Sequence, residues 1–275
     1  MRTWLATGIL ALWALMAVAG AWLPLAPDAI DLTRILAPPG SGSPLGYDDL
    51  GRPLLDRLVS GARYSLLVAL TVVSVSLLTG TFIGAMSAYV GGWVDHLTVR
   101  VIDIFLAFPG ILLAIALAGL MGPGIDNVII ALSIVGWVGF ARLARAQVLA
   151  LKSREHVQAA VVLGARRLRI VVRHLLPLIS APLIVEATFA IAGIVIAEAG
   201  LSFLGLGIQP PTPSWGSMIR EGTRYMLVSP HMVLAPGLAL MLVVLAVNMM
   251  GDRLRDRLDV KRERTGLERN GQGEV

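Results

Sequence analysis

Arg166, Arg169 and Arg173 stand at i, i+3 and i+7 in the segment EHVQAAVVLGARRLRIVVRHLLP, residues 155–177, with Leu168, Val171, Val172 and Leu175 on the other helical face. Guanidinium groups at that spacing form one cationic stripe, which suits either a docking protein or anionic lipid headgroups. Composition alone leaves both readings open. Just upstream, Gln158, Ala159 and Ala160 lie on a helical stretch that Gly164 ends, as glycine does where a helix must turn. Small side chains at Ala159 and Ala160 would let a partner backbone approach closely. Three acids fall in or beside apolar runs: Asp103, Glu186 and Glu198. An intramembrane carboxylate costs several kcal/mol unless it meets water or a partner, so each marks either a pathway or gate, or a structural pair. Asp103 lies three residues from Arg100, which favours a structural pair there. Glu186 and Glu198 differ by roughly 120° around a helix and are expected to serve separate places.

Other chemistry finds no support. The four histidines (His96, His156, His174 and His231) lack the i, i+4 pairing of a metal site. Asp48-Asp49 has neither the alternating acids nor the closing Glu of a calcium loop. There is no cysteine, and Ser65 and Ser74 have no base arranged beside them. Neither lysine, Lys152 or Lys261, follows a phosphate-binding glycine loop, so the chain is not expected to hydrolyse ATP or to be an enzyme.

These residues must be positioned by membrane helices. The chain of 275 residues is 56% hydrophobic and only 15% charged, with a mean hydropathy of +0.77, the balance of an integral membrane protein. Its basic excess lies beside apolar runs rather than stacking aromatics, which speaks for membrane orientation and against nucleic acid. Six runs are expected to span: about 4–25, 65–89, 101–121, 128–144, 183–204 and 232–250. The first is read as retained rather than cleaved, because Trp22, Pro24 and Pro27 occupy the region where a small-residue cleavage site would lie. With a cytoplasmic amino terminus, 17 of the 23 bases fall inside, which predicts a multi-pass plasma-membrane protein with both termini cytoplasmic. Gly80, Gly84 and Ala88 form a ridge suited to close packing within the subunit, and Pro109 is expected to kink the third span. The expected organisation is a first helix and outer loop over 1–63, a core over 64–250 carrying a cytoplasmic loop at about 147–180, and a tail over 251–275.

The cytoplasmic segment resembles the EAA loop of binding-protein-dependent ABC transporter permeases. Gln158-Ala159-Ala160, Gly164, His174 and Leu176-Pro177 keep its spacing, with Gln158 where the family has an acid and His174 at a usually apolar position. PLGYDDLGRPLLDR (44–57), RVIDIFLAFP (100–109) and EAGLSFLGLGIQPPTPSWGSM (198–218) are similar to signatures of the dipeptide, oligopeptide and nickel branch. The likeness covers about 230 residues in the family's order.

The resemblance implies an all-α bundle of six spans with the type I ABC importer permease fold. It also implies a second homologous permease, two cytoplasmic ATPases carrying ATP and magnesium, and an extracytoplasmic solute-binding protein as partners. No cofactor is expected on this chain. Gln158, Ala159, Ala160, Gly164, Ala165, Arg166 and Pro177 would then form the ATPase-coupling segment, while Asp103, Glu186 and Glu198 stay candidate gate or pathway residues on the cost of an intramembrane acid alone. The solute would be a peptide or a related small molecule. A reading from another class is a self-sufficient channel or scaffold with a lipid-binding basic loop.

Overall fold

Backbone amides have no water to bond in a bilayer, so spanning segments must be helical. The computed structural model describes residues 2–20 and 22–270, with side chains for 4–18, 20 and 22–258. Ten α-helices, with a short 3-10 helix at Leu32–Arg34, make up the described fold: α1 (Arg2–Ala19), α2 (Leu54–Val90), α3 (Gly92–Leu106), α4 (Gly110–Met121), α5 (Ile125–Leu151), α6 (Glu155–Val162), α7 (Arg167–Ile170), α8 (Leu176–Phe203), α9 (Trp215–Thr223) and α10 (His231–Asn270). A π-helical turn, Val171–Leu175, joins α7 to α8.

The six expected spans become four long helices, one broken pair and one short helix. Leu54–Val90, Ile125–Leu151, Arg167–Phe203 and His231–Leu258 are each long and apolar enough to cross. α3 and α4 pass that test only together, and they are bent by 85° across residues 107–109. Pro109 lacks an amide and disfavours helix at the residue before it, so the expected kink is a full break. In α1 the apolar stretch among residues with described side chains is Trp4–Val18. Residue 64, where the core was expected to begin, lies inside α2, and α10 runs through Gly251 without interruption.

Lipid tails give apolar helices no reason to associate, so close approach and dispersion must supply the cohesion. The interior is accordingly built from small residues: Ala62, Ala69, Ala85, Ala88, Ala131, Ala141 and Ala144 are all fully buried. Leu78, Phe82, Ile104, Leu112, Ile184 and Leu238 are exposed on the outside. The ridge on α2 lies against α5. A Cβ on Gly80 would collide with the Trp137 carbonyl, and one on Gly84 with the Ala141 carbonyl. A second cluster packs Trp13 of α1, Leu58 of α2, Val195 of α8, Trp215 of α9 and Val243 of α10 near the opposite end of the bundle from α6.

That far end carries a loop, residues 22–53, held down by buried charge. Within the loop Arg52 Nε donates to Asp48 Oδ2 at 2.6 Å, Arg52 Nη2 donates across to Glu221 Oε2 of α9 at 3.4 Å, and Arg57 Nη2 of α2 donates to the same oxygen at 3.1 Å. Arg57 Nε also stands 3.3 Å from Asp48 Oδ2. Burial pushes the Glu221 carboxyl above its ordinary range, against the pull of Arg57 and Arg52.

Two expectations about stability follow from this packing. Gly84→Ala should lower the thermal stability of the purified protein by about 1–3 kcal/mol, whereas Gly119→Ala, where an added Cβ meets open space, should not lower it. Equal melting curves for the two variants would contradict the α2–α5 contact. Arg57→Met should cost about 1–3 kcal/mol, since Asp48 and Glu221 each lose one charged partner and keep Arg52. Arg34→Met, which breaks an ion pair with side chains 47% and 43% exposed, should cost less in the same assay.

Candidate functional site

The Arg-rich segment is an elbow hung between α5 and α8. α6 buries Val157 and Ala160 against the bundle and turns Gln158 and Ala159 outward. Of the two alanines expected to admit a partner, only Ala159 therefore lies on the outer face. Val162 and Leu163 are 86% and 85% exposed at the tip. Gly164 follows with φ +75°, a left-handed value that a Cβ disfavours, and open space surrounds it. The chain then doubles back through Ala165 and Arg166 into α7, with Arg166, Arg167, Arg169 and Arg173 all exposed.

Beyond the turn, Val171 and Leu175 are fully buried while Leu168 and Val172 are 53% and 49% exposed. The expected single apolar face is thus split, because the π-helical turn changes the helical register partway along it. His174 is half-buried, and Pro177 is exposed at the first turn of α8.

Contacts that periodicity could not reveal fix the root of the elbow. Gln158 Nε2 donates to the Lys152 carbonyl at 3.0 Å, closing α6 back onto the end of α5. Lys152 Nζ donates to the Ala88 carbonyl near the end of α2 at 3.1 Å. Arg145 Nε and Nη2 donate to Asp95 Oδ1 and Oδ2, both at 2.7 Å, a parallel two-bond pair between α5 and α3. Asp95, Arg145 and Lys152 escaped the sequence reading because their partners lie 50 and 64 residues away.

The three acids part company. Asp103 is exposed, and among the described residues no ion pair or hydrogen bond joins it to Arg100, so the pair expected from their spacing does not form. Glu186 is exposed on α8 and lines a groove of about 510 Å³ with Gln147, Phe189 and Arg255. Glu198 is 1% exposed, taking a hydrogen bond from Ser202 Oγ at 2.7 Å and another from Ser65 Oγ of α2 at 3.3 Å. One acid thus faces out and the other is sealed in, in keeping with their angular separation.

Carboxylate oxygens of Asp48, Asp49 and Glu221 lie within 4.8 Å of one another, a spacing a cation would accept. Arg52 Nη2 already stands 3.7 Å from Asp49 and 3.4 Å from Glu221, and Arg57 lies beside it. Those guanidinium groups supply the neutralising charge, so the donor set does not suit a metal.

Residues 80–264 match the family model described as binding-protein-dependent transport system inner membrane component. A glutathione transport system permease protein, GsiD, of Pectobacterium atrosepticum is 42% identical over 236 residues, covering 86% of this chain and 78% of the relative. The dipeptide transport system permease protein DppC of Alkalihalophilus pseudofirmus is 45% identical, over 78% of this chain and 71% of the relative. The nickel transport system permease protein NikC of Escherichia coli K12 is 41% identical, over 93% and 92%. Among solved structures, an inward-facing MetNI methionine ABC transporter superposes with a TM-score of 0.59 at 20% identity, covering 74% of this chain and 97% of that one. The chain belongs to the binding-protein-dependent inner membrane components and is a permease subunit of an ABC importer, working with ATPase and binding-protein partners.

Proposed function

We propose that the elbow is the seat of a cytoplasmic ATPase subunit and that this chain forms half of a pathway for short peptides or a related small solute. One observation carries the reading: Val162 and Leu163 project almost fully exposed beyond the end of the bundle, fringed by Arg166, Arg167 and Arg169. An apolar knob with a cationic rim is the shape of a plug for a partner's groove, with a buried centre and a polar edge. Anionic lipid would satisfy the arginines, yet it explains neither the left-handed turn at Gly164 nor the internal bond of Gln158 that holds α6 in place.

Within this reading, Gln158, Ala160 and Pro177 set the shape of the coupling segment, Ala159 and the knob make the contact, and Gly164 with Ala165 and Arg166 fixes its angle. Two ATPases bind one such elbow each, on this chain and on a second homologous permease. ATP closes the ATPase dimer and draws the elbows together, and hydrolysis releases them, with magnesium and nucleotide held by the partners. The elbow end and both termini face the cytoplasm, and the membrane is the inner or plasma membrane, because most bases gather there. Glu186, exposed in its span, faces the second permease or the solute path. Asp103 is placed near that path on the same argument of exposure, while Glu198 fastens α8 to α2.

Two relatives carry peptidic names, dipeptide and glutathione, and one carries nickel, which places short peptides first. Calorimetry on the associated solute-binding protein should show saturable binding of di- or tripeptides, and binding of nickel chelates alone would replace that assignment. For the elbow, Leu163→Cys introduces the only thiol into this cysteine-free chain and should crosslink to an ATPase subunit in the assembled transporter. No crosslink in membranes that import solute would remove the docking role. Gly164→Val should leave the protein inserted while uptake per ATP falls by about tenfold or more. Gly164→Asn, which tolerates a left-handed backbone, should keep most of it. Full coupling in Gly164→Val would count against the angle-setting role.

A further inference from the structure

α3 makes little contact of its own with the bundle: among its residues only Ile102 is buried, and Trp93, Leu97 and Ile104 are 76%, 48% and 64% exposed. Its two ends are nevertheless fastened to α5. At one end lies the two-bond Asp95–Arg145 pair. At the other, Phe105 meets Trp137 edge-on, with ring centroids 5.6 Å apart and planes at 82°. Lys152, two turns beyond Arg145, binds the Ala88 carbonyl just before the α2–α3 corner. The corner itself, Gly91-Gly92, has positive φ at both residues and nothing around it that an added Cβ would meet.

Resting on the elbow as the ATPase seat, we propose that Arg145 and Lys152 are positioning residues that make α3 travel with the root of the elbow. Displacement of α6 is thereby delivered to the 85° break between α3 and α4. The physical chain is continuous. α6 is closed onto α5 by Gln158, α5 holds α3 at Asp95 and Phe105, and α4 is separately packed against α5 and α8 through Ala114, Ala118, Val128 and Leu201. A glycine corner at one end of α3 and a proline break at the other let it pivot as a rod. Without the guanidinium, α3 keeps the Phe105–Trp137 contact and the packing of Ile102 against Val138 and Ala141, while its Asp95 end loses its fixed angle. Arginine suits the role because its planar fork meets both carboxylate oxygens at once, which fixes an angle as well as a distance.

The test uses the complete transporter in proteoliposomes, with spin labels on Trp93→Cys of α3 and Leu120→Cys of α4, residues 76% and 86% exposed. The label distance should change between nucleotide-free and ATP-bound states. Arg145→Ala should abolish that change and lower uptake per ATP about tenfold, and the exchange Asp95→Arg with Arg145→Asp should restore both. A retained distance change with wild-type coupling in Arg145→Ala, or an exchange that restores neither, overturns the proposal. Where Arg145→Ala does not assemble, Arg145→Lys decides, since intermediate coupling supports the linkage and full coupling refutes it. The Leu163→Cys crosslink to the ATPase is followed in parallel. Its persistence in Arg145→Ala isolates a failure of the linkage, and its absence in the unaltered background points instead to a failure of the docking role.

Discussion

Backbone-to-backbone contact between α2 and α5 at Gly80 and Gly84 is the constraint on which the remaining geometry depends. In water, two apolar helices would be driven together by burial whatever their fine shape. In lipid they must fit, since the tails outside are as apolar as the side chains inside. Absent Cβ atoms on α2 bring the carbonyls of Trp137 and Ala141 into direct contact with its backbone. That contact sets the depth and rotation of α5, and α5 in turn presents Arg145 and Lys152 to the α2–α3 corner and carries α6 at its end. A side chain inserted at Gly84 would displace the elbow as well as loosen the bundle.

Polar groups in the interior follow the same logic of fixed placement. Glu198 lies between α2 and α8 with two serine hydroxyls on its oxygens, and Ser202 also receives the amide of Ile208 at 3.4 Å from the loop beyond. The network ties a helix, its neighbour and the following turn to one carboxyl group. At the far end, Asp48, Arg52, Arg57 and Glu221 play a comparable part between the loop and α9, where Trp215 Nε1 also donates to the Leu58 carbonyl at 3.0 Å. Apolar packing of similar volume can equal such networks in stability, but it accepts more than one rotation, whereas directional bonds at this depth accept few.

Local signals in the chain were read well where the physics is local. Runs of apolar residues, the four-residue repeat of Gly80, Gly84 and Ala88 and the helix end at Gly164 all depend on neighbours within a few turns. At Pro109 the sequence marks the position of the break but not its size, because a proline fixes where a helix yields and tertiary packing decides how far. The Arg100–Asp103 pairing failed for a related reason: i, i+3 spacing permits a contact but does not outweigh two exposed side chains kept apart by solvent. Asp95–Arg145 and Arg57–Glu221 were hidden, since nothing in one sequence connects residues 50 or 164 positions apart.

The elbow connects to the bundle in two mechanically different ways, and that asymmetry gives it a direction of action. On the α5 side, α6 is bonded through Gln158 and backed by Val157 and Ala160, so it can transmit a push without yielding. On the α8 side, the chain passes a left-handed glycine surrounded by open space and then a π-helical turn, where the regular i to i−4 ladder is interrupted. Ile170, Val171 and Leu175 on that side are buried in the same cluster as Val157 and Ala160, so the two arms differ in backbone regularity rather than in packing. In the proposed docking, motion entering at the tip reaches α5 with α2 and α3 through the Gln158 bond, and reaches α8, carrying Glu186 on its exposed face, through the π-helical turn. Two bodies hinged at one driven point are what an alternating pathway requires, because a bundle that moved as a single block would carry its groove along unchanged.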